Sequence, residues 1–352
     1  MIYFDNNATT MLLPEVQNKM IEFINDNQPF NASAIHDFGR KAKNIIENAR
    51  SQILSATVNH NYKLIFVPSS TIANNQILNS FKNVIVGASE HSSILKNQQN
   101  IIKIDKNGLI DEEHLIDLIK NIEKPFLVSI AHANNETGVI QDIAKLTNLV
   151  HQYGGLFHSD VVQSFGKIII KIEQLNADYY TIASHKIGGP IGSAAIIYKN
   201  KLEPFLNGGG QELGLFSGTE NILAIVGFAE AVCILNIEKY TNHVLPLRNF
   251  IETEIEKNSG MVIAKNVLRL PNTVMIVNPN ISNKSQLISL DIQGFAVSIG
   301  SACSSGTVKE SATLNAMGYE KNITDFAIRI SLGIQNTKYE SEIFVKAWIN
   351  KN

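Results

Sequence analysis

A lysine that directly follows an apolar strand and opens a glycine-rich turn is the first residue of this chain placed to do chemistry. Lys186 lies in Ala183-Ser184-His185-Lys186-Ile187-Gly188-Gly189-Pro190. Partial desolvation there would keep its amine neutral often enough to form an imine with a carbonyl. A solvated loop lysine is the plainer reading of that segment taken alone. Asp160 ends His158-Ser159-Asp160, also after a strand. A carboxylate in that place could hold a protonated pyridine nitrogen, so that the ring draws electrons from a substrate. It could equally cap the helix-like segment that follows. His158-x-Asp160 hints at a metal, but no second ligand pair lies at a useful spacing. His91, in Ser89-Glu90-His91-Ser92, could stack on a ring and shuttle protons, or be structural. Asn135 and Gln163 could hydrogen-bond a phenolic oxygen or satisfy loop backbone.

Pro68-Ser69-Ser70-Thr71 leads from a strand into a helix, where free N–H groups suit a phosphate, although most such turns bind nothing. Gly208-Gly209-Gly210-Gln211-Glu212 lacks the following Lys-Ser/Thr of a nucleotide loop. Cys303 sits among small residues, Gly300-Ser301-Ala302-Cys303-Ser304-Ser305-Gly306, which reads as a mobile, accessible loop suited to a reactive thiol. Cys233 lies among Val232, Ile234 and Leu235 and reads as core. Arg329 interrupts the apolar run Ile328-Arg329-Ile330. Its planar fork needs an anion, either a substrate carboxylate or an internal partner.

The elements that must position these residues alternate. Strands are predicted at Lys63–Val67, Asn83–Val86, Phe126–Ala131, Leu156–His158, Tyr179–Ala183 and Ala194–Tyr198. Helices follow from about Thr71, near Glu112–Ile122 and over Gln141–Tyr153, where Gly154-Gly155 supplies the stop. This pattern predicts a large, mostly parallel sheet covered on both faces. The polar residues cluster just after its strands, where open α/β sheets bind ligands. After about residue 240 the order changes to Met261–Ala264, Asn272–Val277 and Ala296–Ile299, a smaller α+β unit. The division is 14–240 for the large domain, and 1–13 with 241–352 for the small one.

The bulk properties fit. The 352 residues suit two unequal domains, and 30 basic against 32 acidic residues leave a net charge of −2. No basic surface for nucleic acid or polybasic membrane anchor is indicated. The polar N-terminus does not read as a signal peptide. Ile222–Ile237, broken by Glu230, is too short for a membrane span and reads as a buried helix. Two cysteines argue against a disulfide framework and for a cytoplasmic setting.

Taken together, these motifs resemble the cysteine desulfurases of the NifS/IscS type, a branch of the class V aminotransferases with the type I pyridoxal-phosphate (PLP) fold. The resemblance runs from Tyr3-Phe4-Asp5-Asn6-Asn7-Ala8-Thr9-Thr10 to about Gly333. It includes Glu90-His91, Asn134-Asn135-Glu136-Thr137-Gly138, His158-x-Asp160 with Gln163, His185-Lys186, Gly208–Glu212, Ser217-Gly218-Thr219-Glu220-Asn221 and Gly300-Ser301-Ala302-Cys303.

The resemblance implies PLP held by Lys186, which would later move the substrate's α-proton. His91 would stack on the ring and Asp160 would hold its nitrogen. Asn135 and Gln163 would lie on the phenolic-oxygen side. Ser70, Thr71, Ser184 and His185 would hold the phosphate, joined by Thr219 of a second copy in a homodimer. Arg329, with Asn135, would bind the carboxylate of L-cysteine. Cys303 would take the sulfur as a persulfide, release alanine and pass the sulfur to an iron–sulfur scaffold or a tRNA-thiolation protein. A selenocysteine lyase and a catalytically weak paralogue that binds a true desulfurase are the alternatives. The chain departs from the family at Pro68–Ala73, which lacks the phosphate loop's glycine and acid. It also departs at Ala183, where a hydroxyl is usual, at Leu213 and Phe216 in place of arginines, and at Ile191 in place of a lysine.

Overall fold

The computed structural model describes residues 1–57, 61–96, 98–300 and 310–349. Seven strands form the large sheet in the spatial order Lys63–Val67, Ala194–Tyr198, Tyr179–Ala183, Leu156–Asp160, Phe126–Ser129, Asn83–Gly87 and Asn100–Ile102. Ala194–Tyr198 is antiparallel to both neighbours, and the other pairs are parallel.

Alternate strand residues feed two cores. Leu64, Phe66, Val128, Phe157, Tyr180 and Ile197 face the helices Asp37–Thr57, Glu112–Asn121, Ile143–Gln152 and Ile222–Cys233. Ile65, Val67, Leu127, Tyr179, Ala183 and Ile196 face the helix Ser70–Asn79. With both faces covered, the strands are mostly apolar, and that made them readable as continuous runs.

A further, smaller core gathers Phe4, Val244, Leu247, Ile251, Ile276, Ile328, Phe344 and Trp348. Its sheet pairs Thr273–Val277 antiparallel with Ala327–Ser331 and with Met261–Val262. The N-terminal Ile2–Tyr3 pairs parallel with Phe295–Ala296. The expected strand Ala296–Ile299 is therefore shifted, and Ser298 instead bridges to Arg329. The expected boundary after residue 240 falls inside the helix Ile237–Lys257. The buried side chains of that helix that join a core, Val244, Leu247, Ile251 and Ile255, all belong to the smaller one.

Cys233 corrects the sequence reading, because it is exposed. It closes the helix Ile222–Cys233 on the same stripe as Glu230 and Val226, three and seven residues back, while Ala229, Ala231 and Val232 turn inward. No helix among the described residues is long and apolar enough to cross a membrane.

Candidate active site

Five parallel strand ends deliver the polar residues to one cavity of about 570 Å³. Val67 leads to Ser69, Ser70 and Thr71; Gly87 to Ser89 and His91; Ser129 to Asn134 and Asn135. Asp160 ends its strand beside Gln163, and Ala183 leads to His185 and Lys186. Arg329 enters from the smaller sheet. The first turn of Ser70–Asn79 faces the cavity, and its N–H groups have no acceptor within the helix. Ser69 caps it through Ile72 N.

Asp160 is fixed by two donors: Val162 N to Oδ1 at 2.9 Å and Asn74 Nδ2 to Oδ2 at 2.9 Å. Asn74 also donates to Ser93 Oγ at 2.9 Å, and that hydroxyl lies 2.8 Å from His91 Nδ1. Ser93 N–H donates to the same His91 nitrogen. One buried amide therefore ties the carboxylate to the imidazole. Asn74 escaped the sequence reading because an asparagine in a helix reads as surface.

The contacts of the N-terminal segment with the site also escaped it. Lys186 Nζ donates to the carbonyls of Asn7 at 2.6 Å and Ala8 at 2.7 Å. The next residues zip onto the Lys186 turn: Thr10 Oγ1 donates to His185 O, Gly188 N to Thr10 Oγ1, and Leu13 N to Gly188 O. Gly188 adopts φ +84°, and a Cβ there would lie 2.4 Å from Leu13 Cγ, so only glycine permits this approach.

Arg329 is 2 % exposed and resolves the open choice about its partner. It donates to Asp5 Oδ1 at 2.5 Å and to Asn135 O at 2.9 Å. Asp5 does not line the cavity, whereas Arg329 does. The internal carboxylate thus backs the guanidinium, whose Nε has no partner among the described residues.

Two expected phosphate ligands stand elsewhere. Ser184 is fully buried and does not line the cavity; its hydroxyl faces Gly189, where a Cβ would come within 2.1 Å. Ala183 faces the core beneath the helix Ser70–Asn79, so its neighbour Ser184 points the opposite way. Thr219 is exposed and lies outside the lining of its own chain's cavity. Cys303 lies outside the described residues. Phe216 stacks on Phe205, and Ile191 and Leu213 are exposed.

Burial decides the charge states around the site. It pushes His185 down to about 4, and like charge on Lys186 and Lys167 adds to this. Burial raises the carboxyls of Glu90 and Glu136. Glu90 accepts from Ala131 N at 2.7 Å, which ties two strand ends together. The His158-x-Asp160 hint of a metal fails: both ring nitrogens of His158 are taken, by Ser129 Oγ at 2.8 Å and Thr181 Oγ1 at 3.1 Å. No cluster of metal-ligating residues occurs among the described residues.

Burial holds His158 down at about 3 against an ordinary 6.5. Below 6.5 the unfolded chain takes a proton that the folded chain refuses, so stability falls with pH at about 1.4 kcal/mol per pH unit for this group. Glu90 and Glu136, with raised values, contribute with the opposite sign. The variant His158→Gln isolates the histidine's share: its urea-unfolding free energy should fall less steeply than wild type between pH 6 and 4.5, by about 1 kcal/mol per unit. Parallel slopes would mean that His158 is not held neutral.

The donor set suits PLP: an amine for its carbonyl, a carboxylate for its ring nitrogen and an imidazole for its ring face. A helix N-terminus with hydroxyls would take its phosphate. The cavity also has the volume usual for cofactor sites. Fold and site together define an enzyme of the type I PLP fold.

A profile of the class-V aminotransferases matches residues 2–344. The chain is 32% identical to cysteine desulfurase IscS of Dictyoglomus turgidum over 96% of its length and 91% of that protein. It is 34% identical to a cysteine desulfurase of Klebsiella pneumoniae over 98% and 91%. It superposes on the crystal structure of a NifS-like protein from Rickettsia africae with a TM-score of 0.93 and 38% identity, covering all of both chains. The chain belongs to the class-V aminotransferase family, whose members depend on PLP.

Proposed function

We propose that this protein is a PLP-dependent cysteine desulfurase that converts L-cysteine to L-alanine and leaves the sulfur on Cys303. The observation that carries the reading is the convergence of Lys186, Asp160, His91 and Arg329 on one cavity, in a chain at least 30% identical to named desulfurases. PLP, when bound, supplies an electrophilic carbonyl and a ring that accepts electrons from the substrate's α-carbon.

The chain's own groups do the rest. Lys186 Nζ holds the cofactor and then carries the α-proton. Asp160, oriented by Asn74, keeps the ring nitrogen protonated, and His91 covers the ring face. Asn135 and Gln163 would hold the phenolic oxygen. Ser70, Thr71 and His185 would hold the phosphate. Arg329, backed by Asp5, receives the substrate carboxylate. The Cys303 thiolate attacks the substrate sulfur; the carbon–sulfur bond breaks, and alanine leaves once the carbon is protonated.

The residues flanking Cys303 support its role. Ser311 Oγ hydrogen-bonds the Glu136 carboxylate, and Gly300 packs against the same group. Glu136 adjoins Asn135 of the cavity wall.

Further parts of the proposal are a homodimer, a cytoplasmic setting and a sulfur acceptor of the iron–sulfur scaffold or tRNA-thiolation kind. Exposed Thr219 supports a phosphate site completed by a second copy. So do exposed Leu213 and Ile35, on loops joined by Gln211 and Ser33. The domain division is 14–236 against 1–13 with 237–352, since the helix from Ile237 packs into the smaller core.

Alanine release from L-cysteine, with added PLP and a thiol reductant, tests the function. Release at catalytic rates is expected. A protein that binds PLP but releases no alanine from cysteine would sink the substrate assignment. Arg329→Lys keeps the charge toward Asp5 but loses the fork. It should raise KM for cysteine about tenfold, with a smaller change in kcat. An equal loss confined to kcat would remove Arg329 from substrate binding.

A further inference from the structure

Lys167 is a lysine that the proposed mechanism does not use, and its position is physically expensive. It is 2 % exposed, and both of its hydrogen-bond acceptors are amide oxygens rather than carboxylates: Asn7 Oδ1 and Gln163 Oε1, each at 2.8 Å. Burial, reinforced by like charge on Lys186 and Arg329, pushes its amine well below the ordinary lysine range. An apolar side chain of the same length would avoid that cost.

We propose that Lys167 is a positioning residue for Lys186 and acts through Asn7. The inference rests on the PLP reading of the site. Lys167 decides which way two amides face. With their oxygens turned to its amine, Gln163 Nε2 faces Asn7 O at 3.0 Å, and Asn7 Nδ2 faces Asn135 O at 3.1 Å and Thr273 Oγ1 at 2.9 Å. Asn7 N–H is held by Ser331 Oγ, and Asn272 donates a second bond to Asn7 Oδ1. The Asn7 peptide is thereby clamped between the large domain and the smaller sheet, and its carbonyl is the one that Lys186 Nζ meets at 2.6 Å. Without the Lys167 amine, Gln163 Oε1 loses its donor. Rotating that amide to recover one would set its oxygen against Asn7 O. The clamp on the Lys186 amine then loosens, while the fold keeps its cores.

The test uses full-length protein stripped of PLP. It measures the rate at which Lys186 captures added PLP, read as borohydride-stable label on that residue by mass spectrometry. Lys167→Met should slow capture about tenfold, the worth of one well-placed hydrogen bond. At saturation, the visible circular dichroism per bound PLP should fall by about half as the amine loses its fixed orientation. Asn7→Ala should reproduce both effects, and the double variant should be no slower than either single one. Capture within about twofold of wild type in folded Lys167→Met would overturn the proposal, as would singles that multiply in the double variant. If Lys167→Met does not fold, Asn7→Ala alone decides: unchanged capture and dichroism would end the argument. Wild-type capture separates this inference from the cofactor reading; its failure would remove that reading and this inference with it.

Discussion

Lys186→Ala should purify colourless, take up no borohydride-stable PLP label and release alanine from cysteine at least about 10³-fold more slowly than wild type. The size of the loss follows from what one amine does in two places. It provides the covalent attachment for the cofactor, and it is the base placed to carry the α-proton. In the structure this amine is already fixed by the carbonyls of Asn7 and Ala8. Alanine cannot reach those oxygens, and Lys167, which shares Asn7, is turned to amide oxygens inside the protein. The variant should remain folded, because Lys186 sits on a turn held by backbone bonds from Thr10 and Leu13 rather than by its own side chain. Retained labelling at another lysine, with activity, would reassign the site.

Cys303→Ser should bind PLP and cysteine as wild type does, yet show no persulfide mass on the protein and lose alanine release by at least about 10²-fold. A serine hydroxyl is far less acidic than a thiol and is a poor nucleophile toward sulfur, so attack on the substrate's sulfur stops while earlier steps survive. The chain's other cysteine gives an internal control. Cys233 is exposed at a helix end, does not line the cavity, and its thiol is pushed up by partial burial and by Glu230, so it holds little thiolate. Cys233→Ser should keep full activity. Persulfide on Cys303→Ser, located at Cys233, would overturn the assignment of the sulfur acceptor.

Much of this protein was legible in its residues. The strands Lys63–Val67, Tyr179–Ala183 and Ala194–Tyr198 stand where the sequence put them, since strands buried on both faces are apolar at most positions. Lys186, Asp160, His91 and Asn135 were legible because a polar residue just past an apolar strand lies at the carboxyl edge of the sheet. Pairing and facing were not legible. Asp5 meets Arg329 across 324 residues and Asn7 meets Lys186 across 179, and no local pattern encodes such a contact. Ser184 was misplaced by one step in the pleat, and Cys233 by one step around a helix. Lys167 and Asn74 carry types that usually face water, and only the packing of the N-terminal segment and the Ser92–Leu95 turn buries them. The sequence by itself determined the elements and which residues could react, because these follow from side-chain type and local period. Tertiary structure decided which groups hold the reacting ones in place, because burial and hydrogen-bond partners exist only once distant segments meet.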